Sequence, residues 1–454
     1  REFFGYKSGI AGVAILLFLI MLSVYTFLNV PFSSFIQWNN PTYWINYPKA
    51  ASPTWADLGI FSTNKLEHKI MNSQDYAFVD RDIENNTIVT THTYNTNFTY
   101  STFPKDFMIT YKINASGNIP VIGVEVTRPD GKIMDIYFQT IRDSVTDYSD
   151  NIFSGRIFST DYDVRKKFDH YLKDFKYVQD SSSPQIMLFS DIENKQVLNG
   201  PYKFAIKFYL FNDSDSVIES NLILGGKKYG FLGTDEKRRD LSIGLLWGTP
   251  IALFIGITVS IFSIFIGLFY GVFAGYKGKR TDEGLMRIND IFYSLPTLPL
   301  LIILSIFVGR SIFLLVIFIV FFSWMGTAKI SRSLALQIKN LQYVEASKLM
   351  GQSEIKIIFK HIIPQLLPFT FASIAISVPG AILAEAALSF IGLGDPSLPT
   401  WGQILHEANS SAASSRGLWW WILPPGIMIA LTGLAFVLIG NTLESIVNPK
   451  KKII

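Results

Sequence analysis

Four long runs without a charged residue constrain this chain more than any other feature of its sequence. They cover residues 10–30, 249–276, 367–384 and 418–440. An α-helix rises about 1.5 Å per residue, so about 20 apolar residues cross a hydrocarbon layer of roughly 30 Å. Each run is therefore a candidate membrane-spanning helix, and the chain is predicted to be a multi-pass membrane protein.

Residues 291–327 form a fifth apolar stretch, with Arg310 as its one charged residue. A single span would hold this guanidinium near the middle of the lipid, at about 2.5–3.5 kcal/mol on insertion scales. Two short spans that turn at Gly309, Arg310 and Ser311 would place it at the membrane surface instead. We therefore predict six spans in total.

The distribution of Lys and Arg over the short connections predicts the orientation of these spans. With the amino terminus inside, the outer short loops carry only Arg310 and Arg416. Both termini are then cytoplasmic, and the net charge of +4 reflects this asymmetry and gives no indication of nucleic acid binding. Residues 10–30 are interpreted as a retained span, because the run is too long for a signal peptide and no small-residue cleavage pattern follows it. The inner basic residues are Arg1, Lys7, Lys277, Lys279, Arg280, Arg287, Lys329, Arg332, Lys339, Lys348, Lys356, Lys360, Lys450, Lys451 and Lys452.

Between the first two spans lies a long segment of mixed polarity, residues 32–235, which this topology places outside the cell. Alternating apolar residues at 202–210 indicate a half-buried strand, and residues 121–139 read as a hairpin around a Pro-Asp-Gly turn. One amphipathic helix is expected after Asp161, with Val164, Phe168, Leu172, Phe175 and Val178 on one face. The chain has no cysteine, so this domain must fold without disulfides. We predict a β-rich, sandwich-like domain between residues 1–31 and the remaining spans of residues 236–454.

Five Asn-x-Ser/Thr sequons all fall on the predicted outer side. The pattern is that of N-glycan acceptors, and chance is the alternative, since most asparagines of the chain lie in these segments. The candidate acceptors are Asn85, Asn97, Asn114, Asn212 and Asn409.

A charged, helix-prone segment at residues 343–364 separates two of the spans. Its order of residues is Glu, Ala, Ser, three further residues, Gly, and then Pro thirteen positions later. The glycine permits a sharp bend, and the proline can begin the next helix, where its missing N–H is not needed. Alone, the pattern is that of an ordinary surface helix with a glycine bend and a proline stop.

With the flanking spans, this segment resembles the cytoplasmic coupling loop of ATP-binding-cassette (ABC) importer permeases, and we call residues 343–364 the coupling segment. Such a loop docks a short helix into a groove on a separate ATPase subunit. The residues that carry the resemblance are Glu345, Ala346, Ser347, Gly351, His361 and Pro364, within a loop of residues 328–366.

Two further motifs resemble the second permease subunit of oligopeptide and dipeptide importers, and the likeness extends over most of residues 232–447. Residues 232–240 are similar to Leu-Gly-Thr-Asp-x-x-Gly-Arg-Asp, with Arg238 where glycine is usual. Residues 385–402 match more specifically, from Glu385 to Gly402. Asn441 and Asn448 stand where aspartate is usual. Glu385, near the outer end of a span, is either a substrate or gating contact or a packing residue at the interface.

The resemblance implies a mainly α-helical, six-helix type I ABC importer permease, with a large β-rich extracellular domain between the first and second transmembrane helices. It further implies a homologous second permease, two ABC ATPase subunits and an extracellular substrate-binding protein as partners within membrane lipid. The cargo would be peptides or, as in related systems, oligosaccharides. Transport would proceed by alternating access.

No phosphate-binding loop of the form Gly-x-x-x-x-Gly-Lys-Ser/Thr occurs, so ATP and Mg²⁺ are expected on the partner ATPase subunits, with no cofactor in this chain. Neither a catalytic constellation nor a metal-ligand spacing is found. The alternative from another class is a membrane-anchored cell-surface receptor or binding module whose extracellular domain is the functional part. Six predicted spans and a short tail favour the permease.

Overall fold

The computed structural model describes residues 3–57, 64–84, 87–116, 118–141, 151–171, 183–191 and 196–447. It divides into a helical unit, Arg1–Tyr43 with Leu241–Ile454, and an inserted unit, Trp44–Asp240. Residues 32–43 therefore belong to the helical unit and residues 236–240 to the inserted unit, in contrast to the predicted range of 32–235. The reason for the first difference is aromatic packing, since the rings of Phe32 and Phe35 lie 5.7 and 4.9 Å from that of Trp247.

Helices and strands are numbered in chain order. The helices are α1 (Lys7–Asn29), α2 (Phe32–Ile36), α3 (Pro41–Trp44), α4 (Ser73–Tyr76), α5 (Tyr162–Asp169), α6 (Pro184–Phe189), α7 (Leu241–Lys277), α8 (Lys279–Ser294), α9 (Thr297–Val308), α10 (Ile312–Ser323), α11 (Met325–Ile338), α12 (Gln342–Leu349), α13 (Glu354–Ile357), α14 (Ile363–Phe390), α15 (Trp401–Ser410) and α16 (Trp419–Val447). The strands are β1 (Lys69–Asn72), β2 (Ala77–Glu84), β3 (Thr87–Phe98), β4 (Phe107–Asn114), β5 (Val121–Thr127), β6 (Ile133–Thr140), β7 (Ile152–Phe158), β8 (Gly200–Leu210) and β9 (Ser216–Leu224).

Within the described residues, five helices are long and apolar enough to cross a membrane: Lys7–Asn29, Leu241–Lys277, Ile312–Ile338, Glu354–Phe390 and Trp419–Ile446. A sixth crossing would be α8 followed by α9, two helices bent by 77° at Leu295 and Pro296. Helix α9 ends at Val308, and Gly309 after it has a φ of +102°, a conformation that favours glycine. The apolar stretch at 291–327 is thus interrupted at the predicted turn, which contains Arg310.

Glycines allow α7 and α11 to pack with their backbones in contact. A Cβ atom added at Gly271 would lie 2.1 Å from the carbonyl oxygen of Ala328, and one at Gly267 would lie 2.6 Å from that of Trp324. Gly275 continues the same face of α7 one turn later. Any side chain on this face would push the two helices apart.

The inserted unit consists of two antiparallel sheets that enclose one core. One sheet has the order β1-β9-β4-β7 and the other the order β2-β3-β8-β5-β6. Buried side chains of both sheets form one continuous apolar cluster, for example Ile109 and Leu222 from the first sheet and Val124 and Phe204 from the second. A β-rich sandwich is therefore what the structure contains.

The predicted hairpin and the predicted alternating strand are both present in the second sheet. The hairpin is β5 with β6, and Gly131 in its turn has a φ of +78°. The strand is β8, in which the alternate residues Phe204, Ile206 and Phe208 are buried in the common core. Period-2 alternation thus identified the face of β8 that points inward.

The predicted amphipathic helix is α5, which begins after Asp161. It buries Val164 and Phe168 in the core of the inserted unit, as the helical spacing predicts. Leu172, Phe175 and Val178, the remaining predicted members of its apolar face, lie outside the described residues. The described helix ends at Asp169, so the helix is confirmed for its first two turns.

The two ends of the inserted unit are joined to each other by backbone hydrogen bonds. We call residues 48–54 the incoming segment and residues 227–235 the outgoing segment. Five bonds of 2.8–3.0 Å connect them, and the hydroxyl of Thr234 adds two more, donated to the Pro48 carbonyl and accepted from the Ala51 amide. The unit is therefore closed at the place where the chain enters and leaves it.

The 232–240 motif lies at this closure. Asp235 and Arg239 form a buried ion pair with Oδ2 and Nη2 2.6 Å apart. Arg238 has a φ of +68°, a conformation that favours glycine, and its guanidinium donates to the Tyr47 carbonyl at 2.7 Å and pairs with Asp106. The glycine-type turn is thus kept although the residue is arginine, and the side chain binds neighbouring parts of the inserted unit.

A buried histidine, His92, and a half-buried one, His68, predict how the stability of the inserted unit depends on pH. Burial lowers the pKa of His92 and that of His68. As the pH falls below about 6.5, the unfolded state takes up protons that the folded state does not. Each histidine therefore lowers the free energy of unfolding by up to about 1.4 kcal/mol for every unit by which burial lowers its pKa. Residues 44–240 expressed alone are expected to melt several degrees lower at pH 5 than at pH 7, at about 2–4 °C per kcal/mol.

Thermal melts followed by circular dichroism at the two pH values test this expectation. His92→Gln should reduce the difference between the two melting temperatures, whereas His170→Gln, at an exposed position of the same unit, should leave it unchanged. Identical melting temperatures at pH 5 and pH 7 would contradict the prediction.

Candidate functional site

The coupling segment contains the two-turn helix α12, which has one buried and one exposed face. Val344 and Ser347 are buried, and Val344 belongs to an apolar cluster with residues of α7, α11, α13 and α14. Glu345 and Ala346 are exposed on the other side. Glu345 lies in the first turn, where a negative charge suits the helix dipole. The predicted residues Glu345 and Ala346 thus face away from the protein, and Ser347 faces its interior.

Gly351 ends α12 in a Schellman motif. Its amide donates to the Lys348 carbonyl at 3.1 Å, and the Gln352 amide donates to the Ser347 carbonyl at 3.2 Å. The motif requires a left-handed residue after the helix, and Gly351 has a φ of +76°. A Cβ atom added here would meet nothing within 4 Å. Glycine is therefore required by the backbone conformation and not by a lack of space.

His361 joins the two sides of the bend. Its Nε2 lies 2.9 Å from Oε1 of Gln352 and 3.5 Å from Oγ of Ser347, and the Ser347 hydroxyl in turn donates to the Tyr343 carbonyl. With an acceptor at 2.9 Å, Nε2 carries the proton. These bonds fix α12 against the helix that follows it. Gln352 was not among the predicted residues, because its pairing with His361 depends on the path of the bend.

Pro364 lies in the first turn of α14, as its predicted place at the beginning of a helix requires. The preceding turns lead into α14 without a break, however, so that one helical stretch runs from Glu354 to Phe390 with a π-helical turn at Ile358–Ile362. In that turn the Ile363 amide donates to the Ile358 carbonyl. Proline cannot donate an amide hydrogen and its ring clashes with the carbonyl four residues earlier, and the wider π turn accommodates both effects.

Ion pairs hold the base of the coupling segment. Lys277, at the end of α7, pairs with Glu354 at the beginning of α13. Arg332 of α11 forms a bidentate pair with Asp282 of α8, at 2.5 and 2.6 Å. In the sequence these basic residues indicated only the orientation of the spans. Their partners are 50 or more residues away, so no local pattern predicts the pairs.

The exposed rim of the coupling segment carries three large apolar side chains among its charged residues. Leu349 is 88% exposed, Met350 79% and Ile355 70%. We call these three side chains the apolar tip. Apolar side chains exposed on so short and well-fixed a bend are typical of a surface that is covered by another protein.

Glu385 lies apart from the coupling segment, near the other end of α14. It is 4% exposed, and Oε1 accepts a hydrogen bond of 2.7 Å from the Ser389 hydroxyl. Of the two roles left open by the sequence, packing agrees with this burial. Helix α15 packs closely at this point, since a Cβ atom added at Gly402 would lie 2.7 Å from Cα of Ala386.

The asparagine side chains of the sequons differ in exposure and in hydrogen bonding. Asn97, Asn114 and Asn409 are exposed. The amide of Asn212 instead donates to the Ser116 carbonyl, and Asn85 lies outside the described residues. Within the described part of the chain, no group of three or more His, Cys, Asp or Glu residues could hold a metal ion.

Comparisons with known proteins agree on one family. The family model "Binding-protein-dependent transport system inner membrane component" matches residues 267–453. The dipeptide transport system permease protein DppC of Bacillus subtilis is 36% identical over 221 residues, which are 48% of this chain and 68% of that protein. The oligopeptide transport system permease proteins OppC of Bacillus subtilis and Haemophilus influenzae are 33% and 37% identical, over 72% and 71% of their lengths and 48% and 49% of this chain. All three similarities leave about half of the chain unmatched.

Proposed function

Because the chain belongs to the family of oligopeptide and dipeptide permeases of ABC transporters, we propose that it is one membrane-spanning half of an ATP-driven importer for peptides. The observation that carries this proposal is the coupling segment, a fixed helix with an exposed apolar tip between two spans. Such a tip suits contact with a separate protein, because the described part of this chain leaves it uncovered.

The proposed partners follow from the family. Two ATPase subunits bind ATP and Mg²⁺, and each receives the coupling segment of one permease in a groove. A second, homologous permease completes the path through the membrane, in a six-helix type I arrangement, and an extracellular binding protein delivers the substrate. Closure of the ATPases on ATP would draw the coupling segments together and open the permeases outward, and hydrolysis would return them to the inward-open state.

In this proposal both termini and the coupling segment are cytoplasmic, and the inserted unit is extracellular. Its closed base and own core support a role as a docking platform for the binding protein. The exposed Asn97, Asn114 and Asn409 are the proposed glycan acceptors, in a cell that glycosylates its surface proteins. Oligosaccharides remain the second class of substrate. The receptor alternative lacks support, since the similar proteins reported above are permeases.

Co-purification tests the proposed function. Isolated from its own membranes in a mild detergent, the chain is expected to bring a homologous permease and ATPase subunits with it. Leu349→Asp should reduce the recovered ATPase at least tenfold, because burying an unpaired carboxylate in an apolar contact costs more than about 1.4 kcal/mol. Phe78→Asp, at a residue of the inserted unit that is 70% exposed, is the matched control and should not change the recovery. Recovery without any nucleotide-binding chain would contradict the proposal.

A further inference from the structure

Strand β2 lies at the edge of its sheet and is exposed on both faces. Its eight residues pair with β3 on one side, and among the described strands none pairs with them on the other side, which we call the open edge. Val79 and Ile83 are 50% and 75% exposed, and all of residues 78–83 are exposed. Alternate residues of an antiparallel edge strand direct their N–H and C=O groups away from the sheet. The open edge can therefore pair with a further extended chain.

The register with β3 assigns the side chains of β2 to two faces. Ile83 lies opposite Ile88, which is part of the core, so Ile83 and Val79 are on the inward face of the sheet. Asp80 and Asp82 alternate with them and are on the outward face. A chain added beside β2 would thus meet apolar side chains on one face and carboxylates on the other.

The negative charge of the outward face is not neutralised within the described part of the chain. There, neither Asp80 nor Asp82 forms an ion pair. Arg81 is on the inward face, and its Nη2 donates to the Asp213 carbonyl at 3.4 Å. In the registers of greatest overlap, a two-fold antiparallel pair with a second copy would place Asp80 opposite Asp80 or Asp82 of that copy, and like charges directly opposite are destabilising. The charges therefore disfavour a second copy and favour a chain with basic residues.

The uncovered surface is only one strand wide. In β3, residues 87–94 beside β2 are buried or half-buried. A folded partner usually covers about 800 Å² of each protein, which a single edge strand does not offer. A short extended peptide needs no more than the strand, because main-chain hydrogen bonds supply the affinity and alternate side chains supply the specificity. The width of the open edge thus suits a peptide.

We propose that the open edge of β2 binds extended peptides, as an added strand, and prefers those in which basic and apolar residues alternate. The basic side chains lie beside Asp80 and Asp82, and the apolar side chains lie beside Val79 and Ile83. The main-chain bonds accept many sequences, and the charges select among them. This inference rests on the proposed function, because it takes the peptide cargo as the ligand, and it gives the inserted unit a direct contact with that cargo.

The test measures the binding of a labelled peptide to the full chain by fluorescence anisotropy, in nanodiscs of phosphatidylcholine, which has no net charge to attract the peptide. The probe is a peptide of alternating lysine and valine with the eight-residue length of β2. The double variant Asp80→Lys with Asp82→Lys replaces two favourable cross-strand charge pairs by two unfavourable ones, so the affinity should fall about fivefold or more. Asp169→Lys with Glu219→Lys makes the same change of charge at exposed residues of α5 and β9 and should not alter the affinity.

Methylation of the peptide nitrogens distinguishes an added strand from a loose electrostatic contact. Only alternate amides of an added strand face β2. One probe is methylated at the lysine amides and another at the valine amides, and their affinities should differ at least tenfold, because only one of them loses its hydrogen bonds to the open edge.

Each result bears on the proposal. Affinity that depends on both aspartates and on the position of the methyl groups supports the site. Equal affinities of the two methylated probes, or unchanged binding in the double variant, overturn it. So does a dimer of the chain, or a co-purified folded protein, that is lost in the double variant and kept in the control variant, because it assigns the open edge to another occupant. Failure of the probe to bind while ATPase subunits co-purify overturns this inference alone, whereas probe binding by a chain that brings no ATPase subunits counts against the proposed function alone.

Discussion

Gly271→Leu is expected to prevent the helical unit from assembling. A Cβ atom at this position would lie 2.1 Å from the Ala328 carbonyl oxygen and 2.8 Å from the Arg332 amide nitrogen, and both are backbone atoms that cannot rotate away. Helices α7 and α11 would have to separate along their contact. Overpacking a close contact commonly costs about 1–3 kcal/mol and a clash with backbone costs more, so most of the protein should be lost before purification.

The measurement is the yield of monodisperse protein in detergent, followed by its melting temperature. Gly426→Leu is the matched control, because a Cβ atom at Gly426 in the spanning helix α16 would meet nothing within 4 Å. Its yield should be close to that of the unsubstituted protein. A normal yield and melting temperature for Gly271→Leu would show that α7 and α11 do not pack as described.

Gly351→Leu is expected to lower substrate uptake about fivefold to a hundredfold while the chain still folds and inserts. The new side chain has open space around it, so the effect comes from the φ of +76°, which a leucine adopts at a cost of about 1–3 kcal/mol. The Schellman motif would relax, and the apolar tip would move relative to the ATPase groove. At about 1.4 kcal/mol for each factor of ten, coupling falls by about fivefold to a hundredfold.

Gly351→Asn provides the control, since asparagine accepts the left-handed conformation and should retain most of the uptake. Glu345→Lys should also lower uptake, because it puts a positive charge at the amino end of α12 and on its exposed face. Uptake and substrate-stimulated ATPase activity are measured in proteoliposomes that contain the assembled complex. Near-normal transport by both Gly351→Leu and Glu345→Lys, with assembly intact, would mean that this segment is only a surface helix.

The five long apolar helices could be predicted because they depend on local composition alone. Charge-free runs and the position of Arg310 are sufficient to find the five long helices and the break at Gly309. They do not predict the bent pair α8 and α9, because α8 carries several charged residues. The continuity of the helix through Pro364 could not be predicted in this way. It depends on Ile357, Ile358 and Ile362, which are buried against α7 and α11. That packing maintains the helix through Pro364, although proline usually ends or kinks a helix.

For the candidate site too, the sequence predicted local structure but not long-range contacts. The spacing from Glu345 to Gly351 and Pro364 indicated a helix and a bend, and the φ of Gly351 agrees with it. The bond from His361 to Gln352 and the ion pair of Lys277 with Glu354 depend on the path of the chain in three dimensions. In the inserted unit, alternation identified individual strands such as β8, but not the strands beside which they pair.

The strand order of the inserted unit sets the time at which it can form during synthesis. Strand β8 lies between β3 and β5, and β9 lies between β1 and β4, although these two are the last of the described strands to be made. Until the ribosome has passed Leu210, the sheet that contains β8 exists only as two separate parts, and until it has passed Leu224 the same is true of the sheet that contains β9. At a synthesis rate of about 5–20 residues per second, the earlier strands wait several seconds or longer for β8 and β9. Helix α7 is synthesised soon after β9. A chaperone that covers open strand edges would thus have its substrate in this interval, before the polypeptide is complete.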